Sequence, residues 1–253
     1  MIKSIFIIFF SVFLSFSLNA QSLKSLKNKA LKIKKDLVNN SSNVSSISEN
    51  EAARALREAL DNGIKNSVDL VSKEDGYLNN PEIKIPFPPD AKRVEDRLRK
   101  LGMNKLVDDA ILYINKAAEE AAVAAKPIFV ETIKNMTVTD AINIVKGNDN
   151  EGTEYLMKNT SDTLYKKFIS PIRVSLEKVN ATKHWGTVMN TYNKIPLVQK
   201  INPKLDDYVT RKALDGLFLM IAKEEKKIRE NPLARVTETL KKVFNWVDSQ
   251  KNK

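Results

Sequence analysis

The chain has 253 residues, no cysteine, one histidine and a formal charge of +11. Without cysteine it has no disulfide, no thiolate metal centre and no cysteine nucleophile. Seven glycines and nine prolines among plentiful Leu, Ala, Lys and Glu exclude an all-β chain, which needs more turn residues, and fit helices joined by short loops in one or two domains.

Residues 1–20 are predicted to be an export signal peptide. Lys3 supplies the basic start, Ile5 to Leu18 the apolar stretch, and Leu18-Asn19-Ala20 a cleavage site ending on a small residue; the alternative is an uncleaved anchor, since Leu18 stands where alanine is usual. The address implied is outside the cytoplasm. A lipoprotein is excluded, because no cysteine is present to carry the lipid. The mature chain carries +10. An exported protein rarely meets nucleic acid, so this charge reads as affinity for anionic surfaces or as solubility.

Residues 21–47 are read as a basic amphipathic segment and a polar linker. Leu23, Leu26, Ala30, Ile33 and Leu37 form one apolar stripe, and residues 21–38 carry +5. Such a segment suits an anionic membrane surface; the alternative is a loosely docked leader. Asn39 to Ser46 is too polar to bury.

A single helical domain is expected over 48–248, followed by a polar tail, 249–253. Ser48 with Glu51 forms a capping box and opens a helix through Val71. Tyr77 to Asp90 holds four prolines and is predicted to be an extended strap. Ile83, Ile85 and Phe87 alternate along it and point to one side. Asn79 and Asn80 precede Pro81, where they are expected to bond backbone groups of a turn. Asp90 is expected to cap a helix from Ala91 to Leu101, stopped by Gly102.

A long helical stretch follows from Lys105 to Met136, with Leu106, Ala110, Tyr113, Ala117, Ala121 and Ala124 inward and a break near Ala125 caused by Pro127. Thr137 and Asp140 cap a short helix that ends at Gly147. Two helices are then expected, Asn150 to Asn159 and Ser161 to Val179, the second kinked at Pro171. Asn180 to Lys204 is the least legible region; His184-Trp185-Gly186 reads as the start of a short helix containing Val188, Met189 and Tyr192.

Asp206 to Asn231 reads as the central helix. From Ala213 to Ala222 it is apolar on every side except for Asp215 and Gly216, which predicts burial. Pro232 begins a last helix with Leu233, Val236, Leu240, Val243, Phe244 and Val247 inward. The fold expected is all-α, a bundle of about seven to nine helices around a central apolar helix, crossed by a proline-rich strap.

No catalytic, cofactor or metal set is visible. His184 lacks the glutamate three residues earlier that helical di-iron sites use, and no acidic calcium loop is present. Asp108/Asp109, Asp206/Asp207 and Glu224/Glu225 are adjacent pairs, which diverge on a helix. Glu225 and Arg229 are spaced for a surface ion pair. Asp215, inside the apolar run, reads as a buried acid satisfied by Lys212, by a helix N-terminus or by Asn79 and Asn80, or else as a ligand contact. Gly216 beside it implies close approach of another backbone, with the strap as the partner. The candidate ligand or structural-polar residues are therefore Asn79, Asn80, Lys212, Asp215, Glu224 and Arg229.

From about Glu51 to Phe244 the chain resembles the exported bacterial family known as domain of unknown function 4197. The resemblance rests on Leu78-Asn79-Asn80-Pro81 with Ile83-Lys84-Ile85-Pro86, Leu101-Gly102 with Lys105-Leu106-Val107-Asp108-Asp109, Ala125-Lys126-Pro127-Ile128-Phe129-Val130 and Met136-Thr137-Val138-Thr139-Asp140-Ala141. It is closest over Lys212 to Phe218, Glu224 to Arg229 and Asn231-Pro232. The resemblance implies a helical, exported, mostly Gram-negative protein, hence an address in the periplasm, and no particular reaction.

Three readings follow. The first is a non-catalytic binding or scaffold protein of the cell envelope, with a lipid-like or other small ligand or an envelope protein as partner. The second is a peripheral membrane protein using residues 21–38. The third is a carboxylate-based hydrolase assembled from distant acids.

Overall fold

Eight α-helices and no strand occur among the described residues of the computed structural model. These residues are 47–178, 182, 185, 190, 193, 194, 196, 197, 200, 202 and 204–251. The expected signal peptide, amphipathic segment and linker lie outside them, as do His184, Val188, Met189 and Tyr192.

The helices are α1 (Glu49–Val71), α2 (Lys92–Lys100), α3 (Asn104–Ala122), α4 (Ala125–Asn135), α5 (Val138–Lys146), α6 (Glu151–Lys178), α7 (Leu205–Glu230) and α8 (Glu238–Lys251). Short 3₁₀ turns at Pro89–Ala91 and Pro232–Ala234 precede α2 and α8. Both predicted capping boxes are present. Ser48 Oγ accepts from Glu51 N while Glu51 accepts from Ser48 N, and Thr137 and Asp140 repeat the exchange at α5. Gly102, at φ +77°, follows α2 as predicted. Pro127 sits near the start of α4, and α3 ends before it, at Ala122.

α7 packs against α6, α1 and α3, while α1 also carries α4, α5 and α8. α7 is nonetheless not buried all round. Arg211, Asp215, Leu219, Lys223 and Lys226 form a narrow outward stripe, while Ala213, Leu214, Leu217, Phe218, Met220 and Ile221 are buried.

Further expectations are corrected. First, α6 is one helix through Asn159-Thr160-Ser161. Each of these side chains donates to the carbonyl four residues earlier, so a polar trio that looked like a break is satisfied within the helix. Second, the inward face of α3 is Val107, Ile114, Ala117, Ala118, Ala121 and Ala122, while Leu106 and Tyr113 are exposed. Third, Leu233 and Val236 are exposed. The last helix starts later, where Thr237 Oγ1 accepts from Leu240 N, and it continues through Ser249 to Lys251. Asp90 lies inside the 3₁₀ turn before α2 and does not cap it.

The strap is turns through residue 83 and has no regular structure at residues 84–86. Ile83 and Ile85 are buried, and Phe87 packs edge-on against Trp185 at 5.5 Å. An irregular segment lying on helices has no strand neighbour, so side chains must satisfy its backbone. Asn115 of α3 does so twice: its Oδ1 accepts from Ile85 N at 2.8 Å and its Nδ2 donates to Ile85 O at 2.9 Å. One turn on, buried Glu119 accepts from Tyr77 N and Leu78 N. Tyr77 in turn donates its hydroxyl to Ala213 O of α7 at 2.6 Å. The close approach predicted at Gly216 is this strap, through side chains: a Cβ there would lie 2.8 Å from Tyr77 Cε1 and 3.0 Å from Ile83 Cβ.

Burial, and then the Glu119 carboxylate, push the Tyr77 hydroxyl far above its ordinary 10.0. The folded chain keeps this proton where the unfolded chain releases it. The stabilisation is therefore complete below about pH 10 and is lost as pH rises, costing about 1.4 kcal/mol by pH 11. Tyr77→Phe is expected to lose about 1 kcal/mol at neutral pH and to show a shallower alkaline decline in urea denaturation. Tyr208, pushed up to about 12 by burial and then by Asp90, keeps some of that decline.

Candidate functional site

Two polar assemblies stand out. One is internal. Gly152 N and Thr153 N are unpaired donors of the first turn of α6, and both donate to Glu225 of α7, at 2.9 and 2.8 Å. Thr153 Oγ1 adds a third bond at 2.8 Å. Glu225 also accepts from Arg229, whose Nη2 stands 2.8 Å away. Arg229 then donates to the carbonyls of Ile144 and Val145, in the last turn of α5. The carboxylate thus meets a helix N-terminus and the guanidinium a helix C-terminus, the arrangement favoured by both helix dipoles. Gly152 leaves room for the approach, since a Cβ there would lie 2.8 Å from Leu60 Cδ2 and 3.1 Å from Glu225 Oε1. The pair expected on the surface is buried, with 4% and 7% side-chain exposure. The adjoining cavity holds only about 10 Å³, about one water, so this assembly is part of a solid core.

The other assembly lines an open cleft of about 580 Å³ between α6, the first half of α7 and the end of the strap. At its centre Asp207 accepts from the Tyr165 hydroxyl at 2.6 Å, Arg211 Nε at 3.1 Å and Asn202 Nδ2 at 3.3 Å. Arg211 lies over the Tyr165 ring, 5.2 Å from its centroid. Burial raises the Asp207 carboxyl, but the Tyr165 hydroxyl and the Arg211 guanidinium outweigh it and hold the group below the usual carboxylate range. That hydrogen bond to Asp207, followed by burial, pushes the Tyr165 hydroxyl up. Trp185 donates to Asn202 O, and Tyr208 donates to Pro86 O. Met157, Leu214 and Phe218 add apolar wall. A second cleft of about 610 Å³ shares Tyr165, Asn202 and Asp207 and reaches Arg173, which pairs with buried Asp206 at 2.8 Å.

The six candidate residues do not converge. Lys212 and Asp215 stand together on the cleft wall. They form the anticipated pair at 2.9 Å, but on the surface, with Asp215 65% exposed. Asp215 is therefore not a buried acid: its position in the helix turns it outward among apolar neighbours that turn in. Asp215→Ala is expected to change stability by no more than about 0.5 kcal/mol in thermal melting. Asn80 Oδ1 accepts from Glu82 N, the turn role expected of it, while Asn79 Nδ2 donates to Asp75. Glu224 is partly exposed and bonds Asn66 and Lys227. Arg229 belongs to the internal assembly.

Tyr165, Asn202, Asp207, Tyr208 and Arg211 were not among those candidates. The sequence signal available was Asp207-x-x-x-Arg211 in the first turns of α7. The adjacent pair Asp206/Asp207 does diverge as expected, Asp206 to Arg173 and Asp207 to Tyr165. Among the described residues the buried acids are Glu119, Asp206 and Glu225, each in separate surroundings. No group of three or more His, Cys, Asp or Glu placed to hold a metal, and no helix long and apolar enough to cross a membrane, occurs among the described residues.

A family model described as "Protein of unknown function (DUF4197)" matches residues 46–245, and the chain belongs to that family. No curated protein and no solved structure matches it.

Proposed function

We propose that this member of the DUF4197 family is an exported, non-catalytic binding protein of the cell envelope, and that the cleft centred on Asp207 holds its ligand. The observation that carries the reading is the contrast between the two assemblies. The charges of the internal assembly, Glu225 and Arg229, are consumed by helix ends, whereas the cleft presents aromatic, apolar and charged side chains around open space. Ligand sites combine these features: apolar walls with a few oriented polar groups. The Tyr165–Asp207–Arg211 bonds hold that polar set in place. Export is supported by the basic start, apolar stretch and small-residue end of residues 1–20.

Native mass spectrometry of the protein purified from its own envelope tests the reading. A small-molecule or lipid mass is expected on the wild type and should be lost from Arg211→Ala. That variant should melt normally, because the Arg211 side chain is 66% exposed. Wild-type protein carrying neither ligand nor partner would count against it. A second reading, peripheral attachment through residues 21–38, is supported by their charge of +5 and apolar stripe. Equal liposome flotation with and without residues 21–40 would remove it.

A further inference from the structure

The turn between α2 and α3 has a composition that water does not favour. From residue 101 to residue 106 every residue is exposed, and three of them are large and apolar: Leu101 at 69%, Met103 at 45% and Leu106 at 54%. A Cβ built on Gly102 would meet no heavy atom within 4 Å, so the turn stands clear of the body. Tyr113, two turns along α3 from Leu106, continues the exposed face. Single exposed apolar residues need no explanation, but a cluster does.

The flanks of this tip are basic. Residues 92–109 carry six Lys or Arg against four acids, a charge of +2. The nearby acids are already engaged: Glu95 and Asp108 with Arg99, Asp96 with Lys92, and Asp109 with Lys105. Arg93 and Lys100 are exposed and have no ion-pair partner among the described residues. The apolar tip is three side chains on a projecting turn, against the roughly 20–30 residues a side of a stable protein interface. A bilayer interface has no such requirement. It takes a few apolar side chains into the headgroup–acyl boundary, while basic neighbours stay at the phosphates.

We infer that the α2–α3 turn is a contact site for an anionic phospholipid surface, with Leu101, Met103 and Leu106 entering the interface and Arg93 and Lys100 meeting the phosphates. This site shares no residue with the cleft or with residues 21–38.

The chain has no cysteine, so Met103→Cys in the full chain gives one attachment point for an environment-sensitive dye. With phosphatidylglycerol-containing vesicles the dye is expected to shift to the blue and brighten, with little change on phosphatidylcholine alone. In the labelled background Lys100→Glu should weaken this response at least about fivefold, and Leu101→Ser with Leu106→Ser about tenfold or more. These side chains are exposed, so thermal melting should stay unchanged. Four outcomes overturn the inference: no vesicle binding, binding with an unshifted dye, an equal response on neutral vesicles, or a shift without vesicles that grows with protein concentration and so reports a second copy.

Discussion

Glu225→Ala is expected to lose about 3–5 kcal/mol of stability in urea denaturation. A domain of this kind has roughly 5–15 kcal/mol in all, so the variant should lose a large share of its stability and melt well below wild type. The size follows from what one carboxylate does. It closes the first turn of α6 through Gly152 N and Thr153 N, accepts the Thr153 hydroxyl, and neutralises Arg229. Its removal leaves a guanidinium at 4% side-chain exposure without its counter-charge, and two buried N–H groups without acceptors. Glu225→Gln retains the shape and an acceptor oxygen and should cost less. A double-mutant cycle with Arg229→Met separates the pair from the helix ends. Arg229→Met alone should also be costly, because it strands the Glu225 charge and the Ile144 and Val145 carbonyls. If Glu225→Ala melts within a few degrees of wild type, the central place given to this assembly is wrong.

What the sequence made legible is what local chemistry decides. Ser48 with Glu51 and Thr137 with Asp140 mark helix starts because the capping partners are three residues apart. Gly102 and Pro127 mark ends because their backbones allow little else. The strap was legible for the same reason, and even its contact with Gly216 followed from the missing side chain. What failed depended on which elements arrive from far away. Glu225 and Arg229 have the spacing of a solvated pair, and nothing local announces that the ends of α5 and α6 converge on them. Asp215 is the converse case: its neighbours in sequence are apolar, yet one stripe of α7 meets only water. Leu106 and Tyr113 keep helical spacing, but the face of α3 that the other helices cover is the adjacent one, led by Val107 and Ile114. The cleft was illegible because Tyr165 and Asp207 lie 42 residues apart and meet only through the packing of α6 on α7.

Arg235→Ala is the second large loss expected, about 3 kcal/mol or more, and its character should be local first. Arg235 is 1% exposed and stands in the short link before α8. α7 ends with its last carbonyls lacking helical partners. The guanidinium supplies donors to two of them, Nε to Ile228 O at 3.0 Å and Nη2 to Arg229 O at 2.6 Å. Its positive charge also sits at the negative end of that helix. Its third nitrogen reaches Asn245 Oδ1 and Asp248 Oδ2 of α8, each at 2.8 Å. The Phe244 ring lies below both this guanidinium and that of Arg229, 5.5 and 5.8 Å from its centroid. One side chain therefore ends α7 and docks α8. Without it the carbonyls are stranded and the apolar face of α8, Leu240, Val243, Phe244 and Val247, loses its polar anchor. Hydrogen exchange should then show α8 opening at lower free energy than α6 or α7, before global unfolding. Arg235→Lys should not rescue it, since one ammonium cannot span carbonyls of α7 and acceptors on α8 together. Uniform exchange across α6, α7 and α8 in Arg235→Ala would mean that α8 unfolds only with the rest, and that this guanidinium is not its particular tether.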